Sequence, residues 1–259
     1  MGNVRINGHE YDLEMFVFDK DGLMFESRQF WIELAQARVR AAEKNHPELS
    51  KEFLNSWMNF CGCTCDISGD KCIVTNCSSL GILAVAPVPE EIISSAAYFA
   101  EHLNLAWPKA RDLARDIFSV GDELFDLGAS LKPRPGFPEI FHRLRAAGIP
   151  YGVATSDTKD RVITSLNMFD KFEYAKITVT VDDVERGKPN PDMLIMISEK
   201  MGVPLEKIAM LGDSYVDVAM AKAAGSVGIG IPEQEDMIPK MVGIATEIVS
   251  SLDDIEFIS

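Results

Sequence analysis

Phe16-Val17-Phe18-Asp19-Lys20-Asp21-Gly22 sets two carboxylates directly after an apolar run. Met15 to Phe18 reads as a buried strand, so Asp19 and Asp21 leave its carboxyl end, where open α/β sheets collect their ligands. Residues i and i+2 of an extended segment point the same way, and Gly22 lets the backbone turn at once, so both acids can converge on one small site. Such a pair calls for a cation. Polar residues close other apolar runs downstream: Thr155 and Ser156 after Gly152-Val153-Ala154, Lys188 before Pro189, and Asp213 and Asp217 after the run that ends at Gly212. Each also has an ordinary structural reading. Acids at strand ends form turns, Thr155, Ser156 or Asp157 can cap a helix, Lys188 can be a solvated loop residue, and Asp217 an exposed helix acid. Their joint occurrence, in order and at strand ends, points to chemistry.

The elements that must hold these residues follow from periodicity. Asn7-Gly8 between Val4-Arg5-Ile6 and Glu10-Tyr11 predicts a small hairpin leading into the Met15 strand. Helical spacing runs from Ser27 through Phe30, Trp31, Leu34 and Ala41, then through Phe53, Leu54, Trp57, Met58 and Cys61. Further helices are expected from Pro89 and from near Pro108 to Gly128. The cysteine segment between Cys61 and Pro89 shows no clear period. From Pro133 the texture changes to helix (136–147), strand (149–155), helix (159–168), strand (175–181), helix (190–201), strand (208–212), helix (216–224) and strand (227–231), with a short edge strand at 244–249. This βα repeat predicts an α/β fold with a Rossmann-like parallel sheet and helices on both faces. The core is read as residues 1–22 and 131–259, with a mainly helical domain inserted at 23–130. Lys132-Pro133-Arg134-Pro135-Gly136 reads as a stiff return hinge.

Composition bounds the partners. The 259 residues are 47% hydrophobic and 25% charged, ordinary values for a folded chain, and the formal net charge is -15. Nucleic acid and anionic membrane surfaces attract basic faces, so neither is expected as a partner. An anionic substrate would have to be met by local cations or a divalent metal. No apolar signal core lies in Met1 to Glu10, no run reaches the roughly 20 residues of a membrane span, and the five cysteines are an odd number. A cytoplasmic location with reduced thiols is the expectation.

Taken together, the four segments resemble the haloacid dehalogenase superfamily, specifically its phosphatase-type members with a helical cap after the first strand. The matching motifs are Asp19-Lys20-Asp21-Gly22, Val153-Ala154-Thr155-Ser156, Gly187-Lys188-Pro189-Asn190-Pro191 and Gly212-Asp213-Ser214-Tyr215-Val216-Asp217, in family order. The resemblance implies that Asp19 is a nucleophile forming an aspartyl-phosphate, and that Asp21 is general acid and then base. It implies Lys188 as a fixed cation and Thr155, with Ser156, as the group meeting phosphoryl oxygens. Mg²⁺ would be held by Asp19, Asp21 through its backbone carbonyl, and Asp213, with Asp217 in an outer or water-mediated place. The implied substrate is a small phosphorylated metabolite: a sugar phosphate, phosphoglycolate or a nucleotide. A cap of this kind would close over the site and choose the substrate.

Alternatives keep the same residues. A phosphomutase would pass the phosphoryl group to a sugar hydroxyl, and a receiver-like signalling module would keep it on the aspartate. A phosphonate hydrolase would need a cap lysine, for which Lys51 and Lys71 are available. Lys20, at the variable position between the acids, is read as pointing to the cap or to solvent, and Glu26 as orienting the hinge or contacting substrate. Arg111, Arg115, Lys51, Lys71 and Arg134 are candidates for a substrate's second anionic group. Cys61, Cys63, Cys65, Cys72 and Cys77 lack ordinary zinc spacing and are read as free thiols packing the cap. The oligomeric state is not legible.

Overall fold

A computed structural model of the chain describes residues 3–69, 71–169 and 174–258. Its first strands are β1 (Val4–Ile6), β2 (His9–Tyr11) and β3 (Met15–Phe18). Then come α1 (Ser27–Asn45), α2 (Lys51–Phe60), β4 (Cys63–Ser68), β5 (Lys71–Cys77), α3 (Ile82–Val85), α4 (Val88–His102), α5 (Trp107–Leu124) and α6 (Leu127–Ser130). The remainder is α7 (Glu139–Ala146), β6 (Tyr151–Thr155), α8 (Lys159–Asn167), β7 (Ile177–Thr180), α9 (Asp192–Met201), β8 (Ile208–Gly212) and α10 (Tyr215–Ala224). It ends with β9 (Val227–Gly230), α11 (Ile238–Met241), β10 (Glu247–Ile248) and β11 (Glu256–Phe257). Two compact units result, 1–26 with 131–259, and 27–130.

In the first unit six parallel strands run in the order β10-β9-β8-β3-β6-β7. The most N-terminal of them is thus central, and the chain winds out from it in both directions. That arrangement creates a switch point beside β3, where the carboxyl ends of β3, β6 and β8 open a crevice. Strand alternation sorts the core. Met15 and Val17 face the cluster built from Met193, Leu194 and Ile197 of α9 and Met220 and Ala221 of α10. Phe18 meets Phe141 of α7 edge-on at 5.1 Å, and Phe141 stacks on Tyr151 at 4.2 Å between ring centroids. All four residues of β3 are buried because both faces of the sheet are covered.

The N-terminal hairpin forms as expected, with Asn7 and Gly8 both at positive φ. It is joined by β11, which pairs antiparallel with β1. Glu247 on edge strand β10 clamps this small sheet, accepting from Asn7 Nδ2 at 2.9 Å and from the Tyr11 hydroxyl, with His9 Nδ1 at 2.7 Å.

The second unit packs α1 and α4 against α5. Arg38 of α1 is its buried anchor: Nη1 lies 2.5 Å from Glu91 Oε2 on α4, and the guanidinium sits 4.0 Å from the Phe118 ring centroid on α5. Trp57 fills the space beside it, 5.0 Å from Phe99, with its indole N–H donating to Ser95 Oγ at 3.1 Å.

Three expectations differ from the structure. The cysteine segment, without a clear period, is an antiparallel hairpin of β4 and β5. In β5 the buried residues are Cys72, Val74 and Cys77, so the alternation breaks after Val74 and rests mostly on cysteine, which makes it faint on a hydrophobicity reading. Reduced thiols throughout are also overturned, since Cys63 and Cys77, opposite each other on the hairpin, are joined in a disulfide, whereas Cys61, Cys65 and Cys72 are free. The helix expected to run to Gly128 breaks at Phe125, because Asp126 starts a new turn by accepting from the Ala129 N–H at 3.1 Å. No described helix is long and apolar enough to cross a membrane.

Removing one partner of a buried ion pair strands the other charge. Glu91→Ala should therefore cost about 3–5 kcal/mol in chemical unfolding. The double variant Arg38→Met with Glu91→Leu should recover most of that loss, and equal losses in both would contradict the account.

Candidate active site

Asp19 is the residue after β3, and its N–H donates to Leu211 O at 2.9 Å, carrying the β3–β8 ladder one step past the strand. That bond fixes the backbone from which the carboxylate projects. Lys188 arrives from the loop before α9, its side chain 3% exposed, and its Nζ lies 2.6 Å from Asp19 Oδ1 and 2.6 Å from Asp217 Oδ1. One ammonium is shared by two acids.

Asp217 is buried in the first turn of α10 and is not the exposed helix acid of the plainer reading. Its second oxygen accepts from the Ser214 N–H at 3.2 Å and the Ser214 hydroxyl at 2.9 Å, so it caps the helix while pairing with Lys188. Asp213 follows β8. Ligand atoms of Asp19, Asp213 and Asp217 all lie within 4.8 Å of one another, the one such group of acids, histidines and cysteines among the described residues.

Two glycines make this crowding possible. Gly22 has φ of +81°, and a Cβ there would lie 2.1 Å from Asp213 Oδ2. A Cβ on Gly212 would lie 2.2 Å from Asp217 Cγ. Neither neighbour can yield without leaving the site, so both positions demand the bare backbone.

The electrostatics are unbalanced. Burial pushes the Asp19 carboxyl up to about 7, with Asp217 and Asp21 adding to the rise and Lys188 opposing it. Burial, then Asp19 and Asp217, hold Asp213 well above the usual carboxylate range. Lys188 is raised: burial disfavours its charge, but Asp19 and Asp217 outweigh that. Three carboxylates thus crowd together with one lysine bridging two of them, and an all-oxygen set of this kind fits a hard divalent cation.

The remaining candidates divide. Thr155 ends β6 fully buried, level with the crevice because Phe18 of β3 pairs with Val153. Its Oγ1 accepts from the Asp157 N–H at 3.1 Å and retains its proton to donate. Ser156 is exposed just beyond it. The Asp21 carboxylate stands apart from the acid cluster and pairs with Lys20, at 2.5 Å. Lys20 corrects an expectation: it points neither to a cap nor to solvent but is completely buried between Asp21 and Asp157, the latter at 3.0 Å. The sequence signal was available, because a lysine two residues past a buried apolar strand, flanked by Asp19 and Asp21, needs acidic partners if it is buried.

Arg134 is also reassigned. Its guanidinium donates to backbone carbonyls of Gly22, Ile231 (3.0 Å) and Pro232 (3.3 Å), tying the return hinge to the loops after β3 and β9. Glu26 is exposed, and its N–H bonds Lys132 O at 2.8 Å. Arg111 and Arg115 lie on α5, Lys51 begins α2 and Lys71 begins β5, all in the second unit.

An acid whose folded pKa is raised favours the fold below its ordinary value and loses that contribution as pH rises through the folded pKa. For Asp19 that window ends at about 7. In divalent-free buffer, Tm should fall between about pH 5 and about pH 8, and Mg²⁺ added at the upper end should restore it. Asp213→Asn should flatten both responses. A Tm that holds level or rises across this window would contradict the reading.

Comparison with known proteins follows the same lines. Residues 13–225 match the family model described as haloacid dehalogenase-like hydrolase. The phosphoglycolate phosphatase of Escherichia coli K12 is 33% identical over 97 residues, and the match covers 38% of each chain. The chain thus spans well under half the length of the curated relatives it matches. Among solved structures, a predicted phosphoglycolate phosphatase from Haemophilus somnus 129PT aligns with a TM-score of 0.66 at 17% identity, over 93% of this chain and 96% of that one. A putative beta-phosphoglucomutase from Thermotoga maritima aligns with a TM-score of 0.62 at 19% identity, over 93% and 96%. These structural likenesses concern the fold. With four-fifths of its length inside the family model and the acid cluster at the crevice of its sheet, the chain belongs to the haloacid dehalogenase-like hydrolases.

Proposed function

We infer that the protein is a phosphatase that hydrolyses a small phosphate monoester through a phosphorylated aspartate, and that it uses Mg²⁺. The observation that carries this reading is the Asp19 carboxylate, fixed at the end of the central strand, touching Lys188 and crowded by Asp213 and Asp217. Phosphate monoesters are dianions whose uncatalysed hydrolysis is so slow that enzymes accelerate it by up to about 10²¹-fold. A second anion approaching this site needs positive charge. Asp19, Asp213 and the Asp21 carbonyl would hold the cation, with Asp217 behind them. When bound, Mg²⁺ neutralises the approaching oxygens and lets nucleophile and phosphoryl group meet.

The chain's own groups do the rest. An Asp19 oxygen forms a bond to phosphorus as the ester P–O bond breaks, and Asp21 gives its proton to the departing alkoxide. Asp21 then takes a proton from the water that attacks phosphorus, which frees the Asp19 carboxylate and releases phosphate. Lys188 holds the Asp19 carboxylate in place and offsets charge on the phosphoryl oxygens. Thr155, with the N–H groups at the start of the turn after β6, donates to those oxygens, and exposed Ser156 is available to a bound ester.

The curated relatives make phosphoglycolate the first substrate to try, followed by sugar phosphates and nucleotides. Phosphate release should require Mg²⁺, stop with EDTA, and fall by at least about 10⁴-fold in Asp19→Asn, as expected when a nucleophile is lost. No release from any member of such a panel would overturn the phosphatase reading. Release that persists in Asp19→Asn would overturn the assigned nucleophile.

A further inference from the structure

The mechanism above uses Asp21 but neither Lys20, which grips it, nor Asp157, which pairs with Lys20. Lys20 is completely buried, and its Nζ is 2.5 Å from Asp21 Oδ1 and 3.0 Å from Asp157 Oδ2. Asp157 in turn lies 3.7 Å from Arg161 Nη1 on α8, and its N–H donates to the Thr155 hydroxyl at 3.1 Å. A row of alternating charge, Asp21, Lys20, Asp157 and Arg161, therefore runs from the strand end carrying the acid to the turn that would meet phosphoryl oxygens. The Lys20 carbonyl is fixed as well, accepting from the Met24 N–H at 2.9 Å.

We propose that Lys20, anchored by Asp157, is a positioning residue that holds Asp21 by Oδ1 so that Oδ2 carries the transferred proton to the leaving group. The inference rests on the phosphatase reading. An ammonium has three donors and no acceptor, so the oxygen it holds is the carboxylate's charged end and the proton resides on the other. Without this hold, a carboxyl on a two-torsion side chain samples several rotamers, and proton delivery loses its geometry. Buried Lys20 does not reach substrate itself. Its role is to decide which oxygen of its neighbour faces the reaction, and Asp157 links that choice to the turn carrying Thr155.

The test compares leaving groups. An alkyl phosphate needs a proton as its alkoxide departs, whereas para-nitrophenyl phosphate releases a stable phenolate that does not. General acid catalysis contributes about 10²- to 10⁴-fold. In Lys20→Met, kcat on an alkyl phosphate should drop at least about tenfold more than kcat on para-nitrophenyl phosphate. Asp157→Asn, which weakens the anchor with little change in volume, should shift the ratio in the same direction by a smaller factor. Circular dichroism and Tm establish that each variant is folded. Equal losses on both esters in folded Lys20→Met would overturn the proposal and leave Lys20 a structural ion pair. Should Lys20→Met not fold, an unchanged ratio in Asp157→Asn would overturn it. Wild-type protein is assayed alongside: turnover of neither ester would sink the phosphatase reading and this inference with it, whereas wild-type turnover with an unshifted ratio would sink the inference alone.

Discussion

The Lys188 ammonium, 2.6 Å from both Asp19 and Asp217, is the contact on which the site depends. Burying acids at the ends of adjacent parallel strands is unfavourable, since each loses water and feels its neighbours. Lys188 answers part of that cost by bridging two of them, and helix capping through Ser214 answers another part at Asp217. Arg134 offsets only part of the cost at Asp213, so an excess of negative charge remains around Asp19 and Asp213. That excess of charge suits the site to a divalent cation, and in the proposed reaction such a cation would be the condition for an anion to enter.

Much of this was written plainly in the chain. The βα rhythm after Pro133 gave the parallel sheet, and the acids at strand ends marked the crevice, because a buried strand leaves no ambiguity about where its polar neighbours emerge. Lys188 and Asp217 were visible as residues but not as a pair, since 29 positions separate them and α9 and β8 must form before they meet. Three elements were harder to see for definite reasons. The β4–β5 hairpin buries cysteines where valine or isoleucine would announce a strand. Strand β11 is two residues long and exists only because β1 offers it an edge. Lys20 looked like a surface residue because its type is hydrophilic, although its position inside a buried run already implied acidic company.

Two kinds of positive charge serve the site differently. Lys188 is aimed into the acid cluster, whereas Arg134 spends its donors on the carbonyls of Gly22, Ile231 and Pro232 and so fixes the loops that carry the acids. The glycines at 22 and 212 complete that scaffolding by letting carboxylates approach the backbone more closely than any side chain would permit. A lone Asp-x-Asp segment could not specify this arrangement. It arises because β3 lies between β6 and β8, so that all four segments converge.

Covalent phosphorylation of Asp19, as proposed, is open to a trapping experiment. Protein mixed with Mg²⁺ and a radiolabelled phosphate ester is quenched in acid during turnover, digested, and mapped by mass spectrometry after hydride reduction of any acyl-phosphate. Label and reduction are expected at Asp19, and neither without Mg²⁺. Turnover with no label on any carboxylate, or label on a residue other than Asp19, would contradict the proposal.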